Sequence, residues 1–150
     1  MKPIAKVYLS LLFTVFIVSS VQASDLVKVD LFDGATLTGK LQLPENPNRI
    51  KQLVIFVHGT GPSTYLDRKQ IRGVDFNYYD LFAEEFNRRG IAFFSYNKRG
   101  VEISDQPPDF YTIDRDKFGE VIPNVEVNDL SRTIKLLRKD QRLKKAKIVL

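Results

Sequence analysis

Along residues 26 to 43 apolar side chains recur at every second position. Val27, Val29 and Leu31 fall on one face with Lys28 and Asp30 on the other, and Leu37, Gly39, Leu41 and Leu43 then alternate again. A period of two is that of a half-buried strand. Asp33-Gly34 between the runs supplies a turn, so the segment predicts an antiparallel hairpin. Pro44 to Asn48, rich in Pro and Asn, reads as a loop. The pattern then changes, for Leu53-Val54-Ile55-Phe56-Val57 is continuously apolar and rich in β-branched residues, as expected of a strand covered on both faces.

After a polar loop, Tyr78, Leu81, Phe82 and Phe86 recur at helical spacing while Asp80, Glu84, Glu85 and Arg88 take the other side. An amphipathic helix stopped by Gly90 follows from this. Ile91 to Tyr96 is a second buried strand, and Asn97 to Asn124 is a long turn-rich stretch. Val127, Leu130, Ile134 and Leu137 mark a second amphipathic helix, and Lys147 to Leu150 a third apolar strand. The order is hairpin, strand, helix, strand, helix, strand. That order predicts an α/β fold, with right-handed crossovers, a mostly parallel sheet and helices on its faces.

Ahead of this domain, Lys2 and Lys6 precede an apolar run from Val7 to Val18, followed by Ser19, Ser20, Val21, Gln22 and Ala23, with no acidic residue. This is the three-part layout of a secretory signal, with Val21 and Ala23 at the small-residue positions before the cleaved bond. The alternative, a retained anchor, meets a difficulty of length: the apolar core has about a dozen residues where a span needs roughly 20. Residues 1–23 are therefore expected to be a signal peptide cleaved after Ala23, and residues 24–150 an exported, periplasmic or extracellular domain.

Cleavage would remove two lysines and no acid, so the exported part is less basic than the whole chain's +5. Most of the excess is local: Lys135, Arg138, Lys139, Arg142, Lys144, Lys145 and Lys147 face only Asp140. No aromatic residue accompanies them, and a solvated helix end explains them better than a nucleic-acid surface. The chain has no Cys, which excludes disulfides, thiol catalysis and Cys-ligated metals, and its one histidine is His58.

In open α/β sheets the functional loops lie at the C-terminal ends of the strands. The first such loop reads His58-Gly59-Thr60-Gly61-Pro62-Ser63-Thr64 and the second Asn97-Lys98-Arg99-Gly100-Val101-Glu102-Ile103-Ser104. With the hairpin and the strand before it, the first resembles the α/β-hydrolase superfamily's His-Gly turn after the third strand. The second is similar to that family's Asp-x-Arg-Gly-x-Gly-x-Ser turn, departing at Asn97 for Asp and Glu102 for the second Gly. Asn128-Asp129-Leu130 through Leu137 looks like the helix before the nucleophile strand. The resemblance covers about residues 26 to 150 and rests on the ordered set of elements.

The resemblance implies that Thr60, with Gly61 beside it, donates backbone N–H to an oxyanion. It also implies that His58, Gly59, Arg99 and Gly100 shape the two loops, that no metal or organic cofactor is needed, and that the substrate is a small acyl compound or peptide. The family's Gly-x-Ser-x-Gly elbow does not occur in these 150 residues, and its acid and histidine would follow the elbow. The expectation is therefore the N-terminal portion of an exported serine hydrolase, esterase-like and cleaving ester, thioester or amide bonds, lacking the triad and inactive alone. A noncatalytic secreted binding module of α/β fold is the alternative.

Other readings of the same residues are weaker. Gly59-x-Gly61-x-x-Thr64 partly mimics a dinucleotide fingerprint but lacks the third Gly and an immediate helix. Asp114-Arg115-Asp116 with Gly119 suggests a calcium loop, yet Phe118 and Val125 occupy ligand positions. Ser63, Ser95, Ser104 and Ser131 have no base at a predictable spacing, and turn or surface roles are expected for them. Phe110 and Tyr111, in the long segment Val101 to Pro123, are expected to border an acyl pocket or contact a partner.

Overall fold

The computed structural model describes residues 24–150, so the predicted signal peptide lies outside the described residues. Strands β1 (Ser24–Asp30) and β2 (Thr36–Gln42) form the expected hairpin, in a register that places Val29 opposite Leu37 and Asp30 opposite Thr36. A single 3-10 turn, Pro47–Arg49, leads to β3 (Gln52–Ile55). Next come a small hairpin, β4 (Arg68–Ile71) and β5 (Val74–Asn77), then helix α1 (Tyr78–Arg88) and strand β6 (Ala92–Tyr96). The stretch after β6 holds a second small hairpin, β7 (Val101–Ile103) with β8 (Tyr111–Ile113), and a short helix α2 (Arg115–Gly119). Helix α3 (Pro123–Leu137) and strand β9 (Lys147–Val149) complete the order.

The main sheet has five strands in the order β1-β2-β6-β3-β9, with β6, β3 and β9 parallel to one another and the hairpin antiparallel at one edge. Because β6 is inserted between β2 and β3, the loops that leave β3 and β6 emerge side by side. Period-two alternation sends successive side chains to opposite faces. Leu53 and Ile55 of β3, Ala92, Phe94 and Tyr96 of β6, and Leu37 and Leu41 of β2 join one core with Leu137. Val54, Phe56 and Phe93 join a second, smaller core with Tyr79, Ala83 and Phe86 of α1. The two helices thus cover opposite faces, which is why the β3 and β6 runs are apolar throughout.

Gly39 is fixed by this packing. It stands opposite Tyr96, and a Cβ there would overlap the Phe94 ring.

Helix α1 is rotated relative to its expected face, whereas α3 seats Leu130, Ile134 and Leu137 on the core as expected. In α1 the buried residues are Tyr79, Ala83 and Asn87, whereas Leu81 and Phe82 are exposed. Asp80 accepts from Lys40 Nζ (2.6 Å) and Gln42 Nε2 (3.0 Å) of β2, and the Tyr79 hydroxyl reaches His58. These polar anchors select which of two possible helical stripes meets the sheet. In α3 Val127 is exposed, while Asp129 and Thr133 are buried with Leu137.

The basic cluster is also corrected in part. It begins in the last turns of α3 but continues into turns beyond it, where Arg138 donates to the Ala146 carbonyl (2.6 Å) and Arg142 pairs with Asp140 (2.6 Å) and Asp25 (2.7 Å). Two of its cations therefore hold the chain's own backbone and carboxylates.

Candidate functional site

The β3 and β6 loops meet through a set of bonds that all originate at the end of β6. His58 is buried, donates from Nε2 to the Tyr96 carbonyl, and accepts at Nδ1 from the Tyr79 hydroxyl (3.2 Å). The carbonyl can only accept, so the proton is on Nε2. Burial holds this imidazole below its ordinary value of 6.5, reinforced by the charge of Lys98 and opposed by the Tyr96 bond. The ring edges of Phe56 and Tyr96 pack on it. A neutral imidazole with both nitrogens engaged braces the loop and has no lone pair left to take a proton or ligate a metal.

Beyond His58, Lys98 Nζ donates to the Gly59 carbonyl (2.7 Å) and pairs with Glu126 of α3 (2.7 Å). The Lys98 N–H donates to the Ser63 carbonyl (2.9 Å). Asn97 Oδ1 accepts from the Tyr65 N–H (2.9 Å), and Ser95 Oγ donates to the Tyr65 carbonyl (2.7 Å). Between these anchors lie Thr60, Gly61 and Pro62. Thr60 and Gly61 are exposed, and their N–H groups meet no acceptor among the described residues. Gly61 sits at φ +94°, a conformation open to glycine, with open space where a Cβ would stand. Two free amides on a braced loop can stabilise negative charge on a bound oxygen.

Arg99 is the second brace. Its guanidinium is buried, gripping Asp129 of α3 by two bonds (3.1 and 2.7 Å) and Asp33 of the β1–β2 turn by a third. The Asp129 hydrogen bonds, with Asp33 adding to them against the effect of burial, hold the guanidinium above its ordinary range. Asp33 is held below the usual carboxylate value by the Ala35 N–H and by Arg99. Gly100, at φ +70°, accepts from the Asp114 N–H (2.7 Å), and a Cβ there would stand 2.8 Å from the Asp114 oxygen and the Phe118 nitrogen. The two departures from the family pattern turn out to be bonded to each other, Asn97 Nδ2 donating to Glu102 Oε2 (3.3 Å).

The other sequence candidates fall elsewhere. The hydroxyls of Ser95, Ser104 and Ser131 serve Tyr65, Gln106 and Val127 of the main chain. His58 is taken by Tyr79 and Tyr96, so no serine is paired with it. Phe110 is buried beneath the Arg68 guanidinium (4.2 Å from the ring centroid), and Arg68 also pairs with Asp75 (2.7 Å) and Asp105 (3.3 Å). Phe110 thus joins the two small hairpins, and Tyr111 is half-buried in β8. Asp114 caps α2 through the Lys117 N–H (3.2 Å). A cleft of about 820 Å³, lined by Pro44, Arg49, Glu84 and Asn87 among others, lies at the N-terminal ends of β3 and β6 and includes none of the loop residues.

Lys98 and Asn97 are site residues that the sequence pattern does not single out. Lysine in a turn reads as a solvated charge, and only the neighbouring Gly59 carbonyl reveals its task.

No family model and no curated protein matches the chain. Among solved structures it is similar to a hypothetical protein from Pseudomonas aeruginosa (TM-score 0.57, 16% identity, 89% of this chain and 36% of that one). It is also similar to a cold-adapted esterase from an Arctic intertidal metagenomic library (TM-score 0.50, 16% identity, 85% and 48%). A third is a soluble variant of monoglyceride lipase from Saccharomyces cerevisiae (TM-score 0.51, 17% identity, 88% and 35%). The fold is thus a partial α/β-hydrolase fold. The chain spans between about a third and a half of the length of these structures.

Proposed function

We propose that the chain supplies the oxyanion-binding half of an exported serine hydrolase. In this reading Thr60 and Gly61 donate their N–H groups to the alkoxide that forms when a serine attacks an ester, thioester or amide carbonyl. Water then releases the acyl-enzyme. His58, Gly59, Arg99 and Gly100 keep the two loops in register. In this reading His58, with both nitrogens engaged, is not the base. The nucleophile, the acid and the general base lie in a longer hydrolase, a reading supported by the chain spanning only about a third to a half of the similar solved structures. Residues 1–23 direct export and are removed, leaving Ser24 as the new terminus.

The observation that carries this reading is the pair of exposed amides, without an acceptor among the described residues, on a loop whose two ends are tied to the end of β6. The test uses the protein made from its uninterrupted reading frame in its own host. A fluorophosphonate probe and p-nitrophenyl esters should report a serine hydrolase in the exported fraction. Thr60→Pro, which deletes one donor, should lower kcat by about 10²- to 10³-fold. An exported protein that folds, leaves the probe unreacted and cleaves no ester would instead be the noncatalytic binding module.

A further inference from the structure

We infer that Lys98, seated by Glu126, is a positioning residue that aims the Thr60 amide. The inference rests on the oxyanion reading above and deepens it. The Gly59 carbonyl and the Thr60 N–H belong to one planar trans peptide and point in opposite directions. Whatever grips that carbonyl therefore sets the direction of the N–H. Lys98 Nζ lies 2.7 Å from Gly59 O, and its side chain is only 8% exposed.

The same residue holds the far end of the loop, through the bond from its own N–H to the Ser63 carbonyl (2.9 Å). One residue thus brackets Thr60, Gly61 and Pro62 from both sides. An ammonium has three donors, so Nζ serves Gly59 and the Glu126 carboxylate, 2.7 Å away, at once. Glu126 stands in the first turn of α3, which makes that helix the support for the ammonium. A charged donor on the carbonyl also polarises the peptide, so the Thr60 N–H becomes a stronger donor toward an anion. Arginine could not substitute simply, because its rigid planar fork would have to satisfy a carbonyl and a carboxylate in different directions.

The experiment uses the full chain, ¹⁵N-labelled, with acetate as the anionic probe. The nitrogen of a peptide responds to the hydrogen bond on its own carbonyl, so the Thr60 ¹⁵N resonance reads the Lys98 contact directly. In Lys98→Met it should move upfield more than any other amide of the loop. Glu126→Gln, which takes away the support of the ammonium, should move it upfield by a smaller amount. The acetate dissociation constant read at Thr60 should rise about fivefold in Lys98→Met.

A Thr60 resonance unmoved in Glu126→Gln overturns the inference even where Lys98→Met does not fold. An acetate response that Lys98→Met leaves unchanged overturns the inference alone. No acetate response at Thr60 or Gly61 in the wild type overturns the oxyanion reading, and this inference with it.

Discussion

His58 works as a neutral ring, and that choice has a thermodynamic consequence. Its folded-state value is depressed by burial below the unfolded 6.5, so between the two values the unfolded chain binds the extra proton. The stability it contributes is present above pH 6.5 and is lost as pH falls below it. Urea midpoints should therefore drop from pH 7 to pH 5 by more in the wild type than in His58→Gln, whose amide keeps one donor and one acceptor. Parallel profiles would contradict this assignment.

A second residue-level test concerns the Asn97–Glu102 bond. Asn97→Asp would set two carboxylates against each other while keeping an acceptor for Tyr65. It should destabilise by about 1 to 3 kcal/mol, and adding Glu102→Gln should recover most of it. At this scale the sequence revealed His58, Arg99 and the glycines through their motif positions. It concealed Lys98 and Asn97, whose roles depend on carbonyls and an amide of the loop that follows β3.

At the scale of elements, the strands were legible because alternation and continuous apolarity report directly on one-sided and two-sided burial. The α3 face was legible too, through Leu130, Ile134 and Leu137, but the α1 face was not. In α1 the positions of Tyr79, Ala83, Phe86 and Asn87 have helical spacing as good as that of Tyr78, Leu81, Phe82 and Phe86. The rotation is decided by Asp80 on Lys40 and Gln42, a tertiary ion pair that no local pattern contains.

Urea unfolding distinguishes the two faces. Leu81→Glu, at an exposed position, should change stability by no more than about 0.5 kcal/mol, whereas Ala83→Leu should cost about 1 to 3 kcal/mol by overpacking the α1–sheet contact. The reverse ranking would mean the helix is seated on its other stripe. The β4–β5 hairpin is not legible in the sequence because its turn, Arg72-Gly73, has positive φ at both residues but an arginine where Asn or Asp usually signals such turns. Its strands are also mostly polar, held by Arg68 and Gln70 on Asp75.

Across the whole molecule, inserting β6 between β2 and β3 does the most for the site. It places the His58 loop and the Arg99 loop side by side and lets four consecutive residues, Ser95 to Lys98, hold the first with side-chain and main-chain bonds. Periodicity predicted the class of sheet but carries no information on strand order, which the structure supplies. This arrangement ties down the loop's ends and leaves the amides of Thr60 and Gly61 without an acceptor among the described residues.

Residue-resolved hydrogen exchange on the full chain measures that division directly. The amides of Tyr65 and Lys98, whose N–H groups are bonded to Asn97 and Ser63, should be protected, and those of Thr60 and Gly61 should exchange nearly unprotected. Thr60 and Gly61 as slow as Tyr65 would mean that their donors are already spent inside the protein, and the oxyanion site would not exist.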